Sequence, residues 1–381
     1  MKKLAIIGAS YLQNPLIEKA KSMRIETHVF AWKCGDIGEK TADYFYPISI
    51  VEKEQILEKC KQIGIDGICT IASDLATIAV NYVANAMGLV GNSLECVELS
   101  TNKHMMRMAF EKNMDPSPKS IVVSCFEKNL VENFRFPIIV KPTDRSGSRG
   151  ITKLSNERGL REAIELAKKQ SFEKKVLIEE FAEGQEYSVE FLSYKGVHHF
   201  LALTKKYTTG APHFIETAHI EPAPVSEETL NRVKKIVEHA LTSLKVENGA
   251  SHSELKIDKD GTIKLIEIGA RMGGDFIGSH LVHYSTGIDF VKNVILIALG
   301  QTPDLKGDEI KTPVAVRFVF SKEDVKVLQT LKDEHPEYIV MEDYEEPNSR
   351  EVVDSSTRFG AYMIKAPRVE ELQKYMPGEL K

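Results

Sequence analysis

Glu254 and Glu267 lie in the string SELKIDKDGTIKLIEIGAR, in a pattern that brings two like charges face to face. Leu255 and Ile257 alternate before Asp260-Gly261, and Ile263, Leu265 and Glu267 alternate after it. Alternation on both sides of a glycine that tolerates positive φ reads as a hairpin with a two-residue turn. Pairing Lys259 with Thr262 across that turn puts Glu254 opposite Glu267, with Cβ atoms about 5 Å apart. Facing carboxylates destabilise a sheet unless a cation lies between them. Oxygen-only ligands favour a hard ion such as Mg²⁺. Arg271 follows, and then the flexible Met272-Gly273-Gly274-Asp275. A guanidinium and the backbone N–H groups of Gly273 and Gly274 could converge there on one oxyanion; the structural alternative is an Arg271–Asp275 ion pair.

Three upstream segments supply what a nucleotide needs. In FPIIVKPTDRSGSRGI, an apolar strand from Ile138 to Val140 ends at Lys141-Pro142. It runs into a loop of Arg145, Ser146, Gly147, Ser148, Arg149 and Gly150. Small residues let backbone N–H groups approach phosphate oxygens, and arginines add charge-assisted bonds. The loop is not a Walker loop, because GxxxxGK followed by Ser or Thr is missing. VLIEEFAEGQEYSVEF has a strand from Val176 to Ile178 reaching Glu179-Glu180-Phe181, a turn at Gly184, and a second strand from Tyr187 to Phe191. STNKHMMRMAF opens a helix near Ser100 or Thr101, with Lys103 in its first turn.

The ordered set of Lys103, Lys141, Glu179-Glu180-Phe181 and Glu254/Glu267/Arg271 resembles the ATP-grasp superfamily, specifically its carboxylate–amine ligase branch, which includes bacterial L-amino-acid ligases. The resemblance covers about Ile6 to Arg271 and, more weakly, the tail. It implies a composite α/β (α+β) fold. Residues 1–97 would form a parallel α/β domain and 98–304 the ATP-grasp domain, built on a larger antiparallel sheet with a small α+β lid at about 118–182. Residues 305–381 would form a small C-terminal α+β unit. Lys103 and Lys141 then look like the lysines on the ATP phosphates, with Lys141 also near the adenine, and the loop from Arg145 to Gly150 like the lid over the β- and γ-phosphates. Glu179, the backbone of Glu180, Phe181 and the N–H of Ala182 resemble the adenine-reading hinge, and Glu186 the acceptor of the ribose hydroxyls. Glu254 and Glu267 resemble the ligands of Mg²⁺, for which Mn²⁺ can stand in. Arg271 resembles the catalytic cation that steadies the transferred phosphate and the later oxyanion. One departure is Gly269, where many relatives place Asn; it puts the number of tightly held ions in question.

Composition sets bounds. At 381 residues the chain has room for two or three domains. Its 42% hydrophobic and 28% charged residues describe a globular protein, and a net charge of −5 gives no bulk attraction for nucleic acid. Five cysteines without CxxC spacing suggest reduced thiols and a cytoplasmic location. The apolar start LAII ends at Gly8, too short for an export signal, and no run approaches the roughly 20 residues of a membrane helix. The expected partners are therefore a small-molecule carboxylate and an amine, with no nucleic acid and no membrane; the reading leaves room for a homodimer.

The N-terminal segment reads β-α-β-α-β: strands Leu4 to Ile7, Thr27 to Phe30 and Gly67 to Ile71, with helices Pro15 to Met23 and Glu52 to Ile63. Such alternation implies a parallel sheet with ligands beyond its carboxyl ends, around Gly8, Ser10, Ser73 and Asp74. Asp74 would either cap the helix Leu75 to Met87 or touch substrate. In LTKKYTTGAPHFIETAHIEPAP, Lys205, His213, Glu216 and His219 cluster around turn residues. They form a mobile connection, an incomplete metal site or, as the resemblance suggests, a loop bordering the substrate pocket with Glu216 and His219 toward the incoming amino group.

The chemistry this implies is carboxylate activation by ATP, then attack by an amine, giving an amide, ADP and phosphate. The rivals are a bicarbonate-activating carboxylase of the biotin-carboxylase or purine-pathway type and a non-catalytic ATP-binding protein. Because the loop from Arg145 to Gly150 carries only cationic charge, Arg145→Ala combined with Arg149→Ala should raise the ATP requirement and favour futile hydrolysis. Protease nicking of this loop should slow when ATP and Mg²⁺ are added; nicking that ignores them would mean that the loop does not close over nucleotide.

Overall fold

The computed structural model describes residues 1–145, 149–211 and 214–378. Its strands fall into three sheets. The first comprises β1 (Lys3–Ile7), β2 (Glu26–Phe30), β3 (Tyr44–Tyr46) and β4 (Gly67–Cys69), in the order β3-β2-β1-β4 and all parallel. Alternation along β1 explains its two covers. Leu4 and Ile6 face a core that includes Leu16, Ile17 and Ala20, while Ala5 and Ile7 face Ile56, Cys60, Ala76 and Val80. The first of these cores also takes in Val291, Val294 and Ile295 of the helix Phe290–Ala298, so a segment more than 200 residues downstream (from Phe30 to Phe290) closes one face of the N-terminal sheet.

The second sheet holds β5 (Ser120–Val123), β6 (Ile138–Pro142), β7 (Thr152–Leu154) and β8 (Val176–Glu180), antiparallel in the order β5-β8-β6-β7. The helix Leu160–Gln170 covers it with Leu160, Ala163, Ile164 and Ala167. The third sheet has eight strands: β9 (Gln185–Tyr194), β10 (Val197–Thr208), β11 (Glu216–Glu221), β12 (Gly249–Ile257), β13 (Ile263–Gly269), β14 (Val314–Phe318), β15 (Ile339–Tyr344) and β16 (Gly360–Lys365). Its order is β13-β12-β9-β10-β11-β14-β16-β15. The amphipathic helix Glu227–Ser243 packs Val233, Val237, Ala240 and Leu241 on one part of it. The C-terminal strands do not build a sheet of their own. β14 pairs with β11, Ala218 opposite Arg317, and so removes the open edge that β11 would otherwise present.

The hairpin of β12 and β13 corrects the expected turn. Ile257 pairs with Ile263 and Leu255 with Leu265, which leaves three residues, 259–261, in the turn. Gly261 takes φ 78°, and the Asp258 carboxylate accepts the N–H groups of Asp260 and Thr262. A three-residue turn with glycine in the left-handed region is the next commonest hairpin solution. It shifts the register by one residue, and a bulge between Leu265 and Glu267 shifts it back, so Glu254 does face Glu267.

The N-terminal sheet meets the helix Phe290–Ala298 with no room to spare: a Cβ on Gly67 would lie 2.4 Å from the Ala298 carbonyl oxygen. Gly67→Ala should therefore force backbone movement and cost about 1–3 kcal/mol, read as a lowered urea midpoint. An unchanged midpoint would show that this contact is loose.

Candidate active site

A cleft lies between the second and third sheets, with the end of the first sheet at its far side. Its floor is a set of buried charges. Lys103 begins the helix Lys103–Asn113, capped by Asn102, whose side chain accepts from the N–H groups of His104 and Met105. The expected start near Ser100 or Thr101 instead closes the preceding helix, Leu94–Thr101. Lys103 Nζ donates to Glu267 Oε1 at 2.7 Å and to the Arg145 carbonyl at 2.8 Å. One turn along, Arg107 donates from Nε and Nη2 to Glu179 Oε2 at 3.1 and 2.9 Å. Its Nη2 also reaches the carbonyl of Ile266, the residue in the bulge, at 2.7 Å. Lys141, on β6, pairs with the other oxygen of Glu179 on β8. Burial works to raise the Glu179 pKa, but Arg107 and Lys141 hold it below the usual carboxylate range. Burial pulls Lys141 below its ordinary value despite Glu179. The Glu179 carboxylate is thus committed to two cations, which leaves its part of the expected adenine hinge to backbone. Glu180 turns its side chain to Arg135, and Phe181 receives Lys153 Nζ 3.5 Å from its ring centroid. Glu180, Phe181 and the buried Ala182 all line the cleft.

Lys206, 3% exposed on β10, meets three carboxylates: Glu254 at 2.6 Å, Glu186 at 3.1 Å and Glu216 at 3.6 Å. Burial would lower its pKa, but the carboxylates raise it, and Glu254 is correspondingly depressed well below its usual range. On the same face of β12, His252 bonds Glu190 through Nδ1 and lies 3.6 Å from Glu254 through Nε2. Burial opposes its charge, yet Glu190 pushes it up to about 9, so the ring is an imidazolium at neutral pH. Among the described residues, Glu254 and Glu267 each spend Oε1 on a lysine and carry no protein hydrogen bond on Oε2. Two facing hard oxygen donors fit a Mg²⁺ ion. Among the described residues no cluster of three or more His, Cys, Asp or Glu could hold a metal by itself, so phosphate and water would complete the shell.

Arg271 does not pair with Asp275. It binds Asp74 through two parallel bonds, Nε–Oδ1 at 2.8 Å and Nη2–Oδ2 at 3.0 Å. Asp74 is not the helix cap either: Ser73 is, accepting from Ala76 N–H, and the helix runs Asp74–Met87. The geometry accounts for Gly269. A Cβ there would lie 2.7 Å from Asp74 Oδ1 and 3.2 Å from Arg271, so an asparagine would collide with this pair.

Other expected residues lie elsewhere. Ser10 bonds Gln13, Gly273 donates its N–H to Glu190 rather than to an oxyanion, and Gly274 packs near Ala72 and Leu12. Lys205 lies over the Tyr207 ring on the opposite side of β10 from Lys206, so the lysine that reaches the cleft is the next one. Glu216 lines the cleft, but His219 is fully buried; burial and Lys206 push it down to about 3 and keep it neutral. Arg149 lines a second cavity with Lys103 and Arg145, and Gly150 takes φ 71° against Gln170. Ser146, Gly147, Ser148 and His213 lie outside the described residues. Sequence reasoning missed Arg107, Lys206, His252 and Glu190. The first is four residues past Lys103 and the third two before Glu254, so helical and strand periods signalled both.

These features put buried lysines, an arginine and two facing carboxylates around one cleft. Residues 134–279 match the ATP-grasp domain family. It is 28% identical over 245 residues to the alanine–anticapsin ligase of Bacillus subtilis, covering 58% of this chain and 51% of that protein. The chain thus spans about half the length of this curated relative. Among solved structures it is similar to the L-amino acid ligase of Bacillus licheniformis, with TM-score 0.83 and 23% identity over 98% of this chain and 96% of that one. It is also similar to the phosphoribosylglycinamide synthetase of Anaerococcus prevotii, with TM-score 0.78 and 21% identity over the same shares. The composite α/β fold is that of these proteins. Among the described residues no helix is long and apolar enough to cross a membrane.

Glu221, fully buried at the end of β11, gives a pH signature. Its Oε2 accepts from Thr204, and burial, reinforced by Glu190, pushes its pKa up to about 8. A carboxyl raised from 4.5 to about 8 stabilises the fold fully below pH 4.5 and loses that contribution as pH rises through 8. Glu221→Gln, a neutral stand-in, should melt close to wild type at pH 5 and above it at pH 9. Parallel losses in both proteins would show that Glu221 is ionised in the fold.

Proposed function

We propose that the protein is an ATP- and Mg²⁺-dependent ligase, working in the cytoplasm, that joins a small carboxylate, such as an amino acid, to an amine through an acyl phosphate. The observation that carries the reading is the facing pair Glu254 and Glu267, each against its own buried lysine and both beside the Asp74–Arg271 pair. The similarity to alanine–anticapsin ligase and to an L-amino acid ligase supports it.

A carboxylate is a poor electrophile because attack must add negative charge to it. Phosphorylation gives it a good leaving group, and the protein's part is to hold and neutralise the charges in play. Lys103, Lys141 and Arg145 would face the phosphates. Glu254 and Glu267 would hold Mg²⁺, which supplies charge neutralisation at the transferring oxygens. Glu186 would take the ribose hydroxyls, and the backbone from Glu180 to Ala182 the base. Arg271, fixed by Asp74, presents its remaining N–H groups toward the oxyanion formed when the amine attacks. ADP, phosphate and an amide leave.

The test is ADP release in a screen of pooled amino acids and small carboxylates. Glu267→Gln keeps the side chain's size and removes its charge. It should fold normally and lose at least about 10²-fold of any turnover found, since metal neutralisation is worth several kcal/mol. Near-normal Mg²⁺-dependent turnover in this variant would count decisively against the site.

A further inference from the structure

One buried carboxylate beside the cleft has no part in the proposed chemistry. Glu190, fully buried on β9, accepts one N–H on each of its oxygens: His252 Nδ1–H on Oε1, and the Gly273 N–H on Oε2 at 3.3 Å. Strand register sets the first partner, because Glu190 stands directly opposite His252 on β12. Close approach sets the second. A Cβ on Gly273 would lie 2.6 Å from His252 Nδ1 and 3.2 Å from Glu190 Oε1, so the loop rests on this pair only with glycine at 273. The loop is also held elsewhere along its length. Met272 is fully buried, its carbonyl accepts the Ala72 N–H, and a Cβ on Gly278 would strike its side chain.

We infer that Glu190 is a positioning residue that keeps two parts of the site in register: through His252 it directs Glu254, and through the Gly273 N–H it holds the loop that follows Arg271. The inference rests on the ligase reading for the metal alone. His252 lines the cleft, with Nε2 3.6 Å from Glu254 Oε1, the oxygen that also meets Lys206 at 2.6 Å. Glu254 Oε1 is thus engaged by two side chains, and Oε2 is left for a metal. Anchoring Nδ1 fixes the plane of the ring and so the place of Nε2. On the loop side, Gly273 is two residues beyond Arg271, so the same carboxylate limits where that guanidinium can stand. A buried ion pair adds little net stability, because desolvation offsets the attraction. What this one supplies is direction, and losing a partner that orients a metal site typically costs about 10- to 100-fold in metal affinity or activity.

The test breaks the bridge from each side. Glutamine keeps the size of Glu190 but accepts on one atom only and turns its own amide N–H toward the other donor, so Glu190→Gln loses one arm. With a non-hydrolysable ATP analogue bound, its calorimetric Mg²⁺ affinity should fall about ten-fold, while the analogue's affinity without metal stays unchanged. In the metal-free protein, amide hydrogen exchange across residues 271–275 should speed up. Gly273→Ala pushes the loop off the pair and should lower Mg²⁺ affinity in the same way, although residue 273 binds no metal. The double variant should lose no more than the worse single variant, since both changes break one bridge. Should Glu190→Gln not fold, Gly273→Ala carries both readouts. Unchanged Mg²⁺ affinity, unchanged loop exchange, losses that add in the double variant, or nucleotide affinity that falls in step with Mg²⁺ affinity would overturn the inference. Wild-type protein that takes up no Mg²⁺ with the analogue would sink the ligase reading instead, and loop exchange in the two variants would then decide the bridge.

Discussion

Two carboxylates can share one end of a sheet only if positive charge stands against each. In this protein that charge comes from two separate places. Lys206 reaches Glu254 from β10, across β9, and Lys103 reaches Glu267 from the N-terminus of a helix. Both ammonium groups are buried, 3% and 6% exposed, so neither interaction is screened as a surface ion pair would be. A divalent ion between the carboxylates would replace the lysines as counter-charge and leave both ammonium groups free to meet phosphate. The same four side chains would thus serve both a charge-balanced resting fold and a site for a polyanion.

The second charged layer explains how the parallel sheet is tied to this floor. Asp74, at the start of the helix after β4, fixes Arg271, while Ala72 donates its N–H to the Met272 carbonyl at 3.1 Å. Two short contacts therefore set the distance from the N-terminal sheet to the end of β13. Gly269 is part of that arrangement, because any side chain there would occupy the space of the Asp74–Arg271 pair. What reads in sequence as a lost metal ligand is, in three dimensions, the room that lets an arginine be oriented. A metal bound there would find two protein carboxylates, and its remaining ligands would come from nucleotide and water.

Local patterns were legible in sequence, and long-range partners were not. Period-2 alternation gave the strands of the hairpin, and the pairing of Glu254 with Glu267 was right although the turn was misjudged, since turn and bulge offset one another. Helical spacing placed Lys103 in a first turn. The partner of Arg271, in contrast, is 197 residues away, and that of Arg107 is 72 away; no local period encodes either. Lys205 and Lys206 show the limit most clearly. Adjacent residues on a strand point to opposite faces, so the two lysines are chemically alike and sterically opposite. Which one reaches the cleft depends on how β10 pairs with β9 and β11, a fact of the sheet and not of the string.

That dependence on pairing extends to the tail. β11 carries Glu216 into the cleft and gives its other edge to β14, so the strands after residue 313 continue the sheet that holds the metal carboxylates. A strand order fixed by hydrogen bonds also fixes where β16 begins, and with it the turn that carries Ser355 and Arg358. This turn brings an arginine with a buried side chain to the Glu216 carbonyl, and Phe318 on β14 supplies the ring beneath it. Residues about 90 positions from the hairpin, measured from Glu267 to Arg358, therefore reach a strand that lines the same cleft. One continuous sheet thus gathers, at one cleft, charges drawn from widely separated stretches of sequence.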